Sequence, residues 1–100
     1  MIKHIVFFNF KDEAGGRPKA ENIAIARSML LNLLGRVPTL RSMQAGPNAV
    51  DGASAWDFAL VAEFDDEESL RQYVEHPEHR KVSAFMSSVR TERASVDFEY

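Results

Sequence analysis

Two of the three histidines of this 100-residue chain fall within one octet, Tyr73-Val74-Glu75-His76-Pro77-Glu78-His79-Arg80. An imidazole titrates closest to neutral pH of any side chain, so it can take a proton from a carbon beside a carbonyl. A phenol nearby can hydrogen-bond the carbonyl oxygen as negative charge develops there. Pro77 disfavours helical geometry at His76 and suits the first position of a new helix. His79 then stands third in that helix, where the positive end of the helix dipole favours a neutral ring. Tyr73 lies in the last turn of the preceding helix, and the break after it can fold its hydroxyl back toward His79. This gives His79 as base and Tyr73 as oxyanion donor. His4, on an apolar strand face, is a third candidate, to orient or bind. Each residue also has a plain structural reading: His76 as a helix-junction cap, His79 bonded to a carbonyl, Tyr73 and His4 as core residues with their polar atoms satisfied.

Other chemistries find less support. Zinc sites on helices use two histidines four apart on an uninterrupted helix, whereas His76 and His79 are three apart across a proline. Asp57 and Glu75 are the only third ligands to suggest themselves, and no metal or other cofactor is expected. The chain has no cysteine, which excludes thiol catalysis and thiolate metal sites. No glycine-rich loop with a lysine opens a helix, and no serine sits in a nucleophile-elbow pattern. Charged residues make up 27% of the chain with a net charge of -3, both signs interspersed. Without a basic stripe, nucleic acid is not an expected partner. No apolar run approaches the ~18 residues that cross a bilayer, and the apolar start is too short for a secretory signal. A cytoplasmic protein with one domain, 1–100, is the expectation.

The elements that must position these side chains follow from spacing. Residues 2–11 read as a strand with Ile2, His4, Val6, Phe8 and Phe10 on one face and Lys3, Ile5, Phe7 and Asn9 on the other. A helix is predicted from about Pro18, in its first turn, to Leu34, stopped by Gly35. A weaker strand spans 40–46. A strong one spans 56–64, with Trp56, Phe58, Leu60, Ala62 and Phe64 sharing a face. Acids open a helix over 65–76, a second helix runs from Pro77 to about Val89, and a last strand covers 91–100, with Ala94, Val96, Phe98 and Tyr100 on one side. The order is the split βαβ arrangement: α+β, ferredoxin-like, a four-stranded antiparallel sheet with helices on one face. The first and third strands carry apolar side chains on both faces, yet the helices cover only one. A second copy of the chain, its sheet facing the first in a barrel, is the simplest cover, so a homodimer is expected.

Three stretches carry a family resemblance: MIKHIVFFNFK at the start, WDFALVAEFDDEESLRQYVEHPEH, and the closing strand ending in DFEY. They resemble the stress-responsive A/B barrel (Dabb) family, and within it the olivetolic acid cyclase-like members. The resemblance implies a dimeric α+β barrel and, for the cyclase type, a cofactor-free aldol-type closure of a polyketide-like chain. It implies that the cyclase's catalytic tyrosine and histidine fall on Tyr73 and His79, and that a first-strand histidine falls on His4. A third-strand histidine of the cyclase is Phe58 here, and several aromatic residues of its first helix are aliphatic here. Two classes of function follow. One is a binder or cofactor-free enzyme for a small apolar carbonyl compound. The other is a non-enzymatic, stress-associated structural protein, with an antibiotic-biosynthesis-type monooxygenase as a relative of the first. A cavity reaching His4, Tyr73 and His79 together would favour the first class.

Overall fold

In the computed structural model, which describes residues 1–100, the apolar alternation of the first segment gives strand β1, Ile2–Phe10. A two-residue ribbon follows, β2 (Glu13–Ala14) and β3 (Arg17–Pro18). Then come helix α1 (Lys19–Leu31), strands β4 (Ser42–Pro47) and β5 (Phe58–Phe64), helices α2 (Glu67–Glu75) and α3 (Pro77–Val89), and strand β6 (Arg90–Glu99). The main sheet has the order β4-β5-β1-β6, every neighbouring pair antiparallel. β1 is thus an inner strand, in register with β5 through Val6 and Leu60 and with β6 through Val6 and Ser95.

The three helices pack on one face. Val6, Phe8 and Phe10 of β1 and Phe58, Leu60, Ala62 and Phe64 of β5 are buried against Ala26 and Leu30 of α1, Tyr73 of α2, and Val82, Met86 and Val89 of α3. The other face carries Phe7, Val96, Phe98 and Tyr100, 39% to 52% exposed. The expectation of one covered and one bare apolar face therefore holds for this chain. Asp66 caps α2 by accepting from the Ser69 N–H at 2.8 Å. His76 ends α2 and begins α3: its ring Nδ1 accepts from the Glu78 N–H at 3.1 Å, and Pro77 occupies the first helical position.

Three local expectations need correction, and one element was not foreseen. α1 ends at Leu31 rather than Leu34, because Asn32 closes the helix and turns carry the chain to Gly35, whose φ of 90° only glycine adopts easily. Pro18 precedes α1 instead of lying in its first turn: it still pairs in β3 and has extended backbone, φ -70° and ψ 163°. The polar stretch after β1 is not a simple loop. Gly15 and Gly16, both with positive φ, form a two-residue turn that pairs Ala14 with Arg17. Buried Asn22 of α1 holds this ribbon, accepting from Arg17 Nε at 2.7 Å and donating to the Ala14 carbonyl at 3.1 Å. Lastly, Trp56 does not share the face of Phe58. The chain bends at Asp57, whose carboxylate accepts the Phe10 N–H at 2.8 Å, so β5 begins only at Phe58 and Trp56 tilts over Phe7 on the bare face.

Candidate functional site

A cleft of about 250 Å³ opens between the β1–β6 side of the sheet and helix α3, and His4, Tyr73 and His79 all line it. Each reaches it for a local reason. Strand alternation points His4 to the covered face, one residue pair from Val6. Helical spacing turns Tyr73 inward from α2. The extended backbone at His76, φ -65° and ψ 138°, reverses direction so that α3 brings His79 back over Tyr73. The Tyr73 and His79 rings end 4.4 Å apart between centroids, and His4 lies 6.3 Å from Tyr73.

Hydrogen bonds fix the tautomers. His79 Nδ1 lies 3.1 Å from the Val74 carbonyl, which can only accept, so Nδ1 carries the proton and Nε2 keeps a lone pair. His4 Nδ1 is held by the Asp97 carboxylate, which likewise leaves Nε2 facing other partners. Asp97 comes from β6, opposite His4 in the register. Tyr73 is 1% exposed, yet its hydroxyl has no partner in the protein and no buried polar side-chain atom is left unpaired. The hydroxyl must therefore be the small part of Tyr73 that reaches the cleft surface.

Burial sets the proton affinities. Loss of water around His79 lowers its pKa below the ordinary 6.5, and the charges of His4, Arg93 and His76 act in the same direction, against the Val74 hydrogen bond. His79 thus stays neutral through physiological pH. Desolvation pushes the Tyr73 phenol well above its ordinary 10.0, and Arg93 only partly offsets this. The pair is a neutral base beside a phenol that keeps its proton. It can remove a proton from an acidic carbon while donating a hydrogen bond to the adjoining oxygen.

His4, Tyr73 and His79, singled out from the sequence, therefore meet in one cleft, while His76 stays out of it as a cap. Sequence reasoning missed Asp97, Arg90 and Arg93. The apolar alternation of the last strand named only Ala94, Val96, Phe98 and Tyr100. The intervening residues, which share the face of His4 and Phe8, could have been found by pairing that strand with the first. Phe58 is packed against Phe8 and Phe10 and brings no polar atom to the cleft. No group of three or more His, Asp or Glu side chains is placed to hold a metal ion.

The family model described as the Stress Responsive A/B Barrel Domain (Dabb) matches residues 2–100. An uncharacterised protein of Streptomyces coelicolor is 34% identical over 80 residues, 80% of either chain. A dimeric protein of unknown function and ferredoxin-like fold from Bacteroides fragilis superimposes with a TM-score of 0.87 at 27% identity, over 99% of this chain and 95% of its own. A dimeric ferredoxin-like protein of unknown function from Thermobifida fusca gives 0.85 at 28% identity, over 99% and 90%. At 15% identity, a hydroxynitrile lyase from Passiflora edulis shares the fold with a TM-score of 0.81, over 97% and 90%.

Proposed function

Because the chain belongs to the stress responsive A/B barrel family, matched from residue 2 to residue 100, we propose that it works as a homodimer and uses its cleft for acid/base chemistry on a small apolar carbonyl compound. The observation that carries this reading is the neutral His79 ring 4.4 Å from Tyr73, with both facing the cleft that His4 shares. His79 Nε2 takes the proton next to the carbonyl. The Tyr73 hydroxyl donates to the carbonyl oxygen as it becomes an enolate. His4, held by Asp97, positions the far end of the compound or its leaving oxygen. Proton removal of this kind opens an aldol-type closure, as in the cyclase-like members of the family. The same base taking a hydroxyl proton instead would open a lyase-type cleavage, in which the oxygen forms the carbonyl as the carbon–carbon bond breaks. The Passiflora edulis enzyme shares the fold and is a lyase by name. Phe58 stands in place of the cyclase type's third-strand histidine and does not line the cleft, so no third imidazole takes part here.

The dimer reading rests on the bare face of Phe7, Val96 and Phe98 and on the two dimeric relatives. The chemical reading is tested by deuterium exchange at the methyl group next to the carbonyl of 4′-pentylacetophenone, followed by NMR. The wild-type chain should accelerate exchange, and His79→Ala should return it to the buffer rate. Acceleration that survives His79→Ala in a variant with native circular dichroism removes His79 as the base. No acceleration by wild-type protein, with the ketone shown to occupy the cleft, removes the chemical reading altogether.

A further inference from the structure

Apart from Asp97, which is taken up by His4, the fixed charge at the cleft is of one sign. No Asp or Glu lines it, whereas Arg90 and Arg93 do, both from β6. Register explains their direction. Arg93 stands opposite Phe8 and Arg90 opposite Phe10, so both side chains rise on the covered face. Neither guanidinium has a carboxylate partner. Arg36, Arg41 and Arg71 do, at 3.7, 2.6 and 2.9 Å. Arg93 makes only a long contact to the Ser95 hydroxyl at 3.4 Å, and half-buried Arg90 donates no side-chain hydrogen bond.

Arg90 is half-buried and Arg93 exposed at the rim; an anion between two unpaired like charges is attracted by both. Most of the rest of the lining is apolar, chiefly Val6, Phe8, Leu60 and Met86, with Ser83 and Ser87 from α3 beside them. Arg93 is also close enough to act on both Tyr73 and His79 through its charge. An anion seated on it therefore adjoins the proton-transfer pair.

We propose that the cleft selects a small amphiphilic acid, its apolar body on the Val6–Phe8–Leu60–Met86 floor and its carboxylate on Arg90 and Arg93. Guanidinium groups recognise carboxylates through two parallel N–H···O bonds, which fix orientation as well as charge. So held, the acid presents its other carbonyl group to Tyr73 and His79. The inference rests on the reading of this cleft as the ligand site and names the substrate class for it.

The test uses the 100-residue chain and two probes of equal shape, 4-pentylbenzoate and 4-pentylbenzamide. Binding is followed by NMR at the His4 and His79 ring C–H signals. The benzoate should bind at least about tenfold more tightly than the amide, the scale of a charged hydrogen bond. The preference should shrink in Arg93→Gln and in Arg90→Gln, vanish in the double variant, and fall with added salt in the unaltered protein, while affinity for the amide holds. Equal binding of the two probes to wild type overturns the acid preference but leaves the cleft as a ligand site. So does a preference that persists in the double variant or is insensitive to salt. If neither probe moves the ring signals at millimolar concentration, the cleft reading falls together with the inference.

Discussion

Protonating His79 is harder in the fold than in an unfolded chain, because burial strips water from its ring, which outweighs the Val74 carbonyl that favours the charged form. The folded pKa lies below the unfolded value, so the unfolded chain gains its proton first as pH falls. Stability is then fully present above the ordinary 6.5 and is lost as pH drops from there through the lowered folded value. Urea midpoints measured between about pH 7.5 and 5 should decline, and His79→Gln should flatten that part of the curve. In catalysis the same shift moves the acid limb of the rate profile below the imidazole norm. Tyr73 acts at the opposite end of the scale. Its raised pKa keeps the phenol protonated, so Tyr73 should impose no alkaline limb up to its ordinary 10.0. Because its hydroxyl bonds to nothing in the protein, Tyr73→Phe should change unfolding free energy by under ~1 kcal/mol. The same variant should slow proton exchange by about 10²–10³-fold, the usual cost of losing an oxyanion donor. A loss of stability comparable to the loss of rate would make Tyr73 a packing residue instead. That Tyr73 and His79 meet was readable from residue type and from the spacing around Pro77. Asp97 was not, because a carboxylate in an alternating strand looks like a solvent-facing residue until its register against His4 is known.

At the level of elements, the junction between α2 and α3 sets the Tyr73–His79 distance, and one side chain secures it. The His76 ring satisfies an N–H that the first turn of α3 leaves open. His76→Ala should cost about 1 kcal/mol, as lost N-caps do, whereas His76→Asn should restore most of it. Equilibrium urea unfolding of the three proteins checks both outcomes. Equal stability of all three would mean that Pro77 alone fixes the break. α2 and α3, bounded by Pro77 and an acidic cap, were legible in the sequence to within two residues, because those signals are local. Trp56 was misplaced because strict alternation was carried one bend too far. Nothing in the tripeptide Trp56-Asp57-Phe58 shows that Asp57 is drawn to the Phe10 N–H and to Lys19, 3.2 Å from its carboxylate. The ribbon at Gly15-Gly16 escaped for a related reason. Its strands are two residues each, too short for any periodicity, and Asn22 in the following helix helps to hold them.

For the whole molecule, the deciding quantity is the apolar area left open on the far side of the sheet. Phe7, Val96, Phe98 and Tyr100 sit there together, and full burial of a large apolar side chain contributes about 1.5–3 kcal/mol. Light scattering should return a particle of twice the 11.3 kDa chain mass at micromolar concentration. Phe7→Lys combined with Val96→Lys should reduce it to the chain mass without loss of secondary structure. A wild-type particle of chain mass would contradict the dimer. This face was foreseeable, since β1 and β5 are apolar on both sides and the helical segments suffice for one.

β1 faces both ways at adjacent positions: His4, Val6 and Phe8 look into the cleft, while Ile5 and Phe7 look out from the bare side. The cleft and the bare face are thus separated by the thickness of a single backbone. Whatever free energy an occupant of one side transmits through that strand must be returned, in equal amount, to an occupant of the other. Dilution that splits the pair and saturation that fills the cleft are then two handles on the same lever, and a ligand titration repeated at several protein concentrations reads its stiffness.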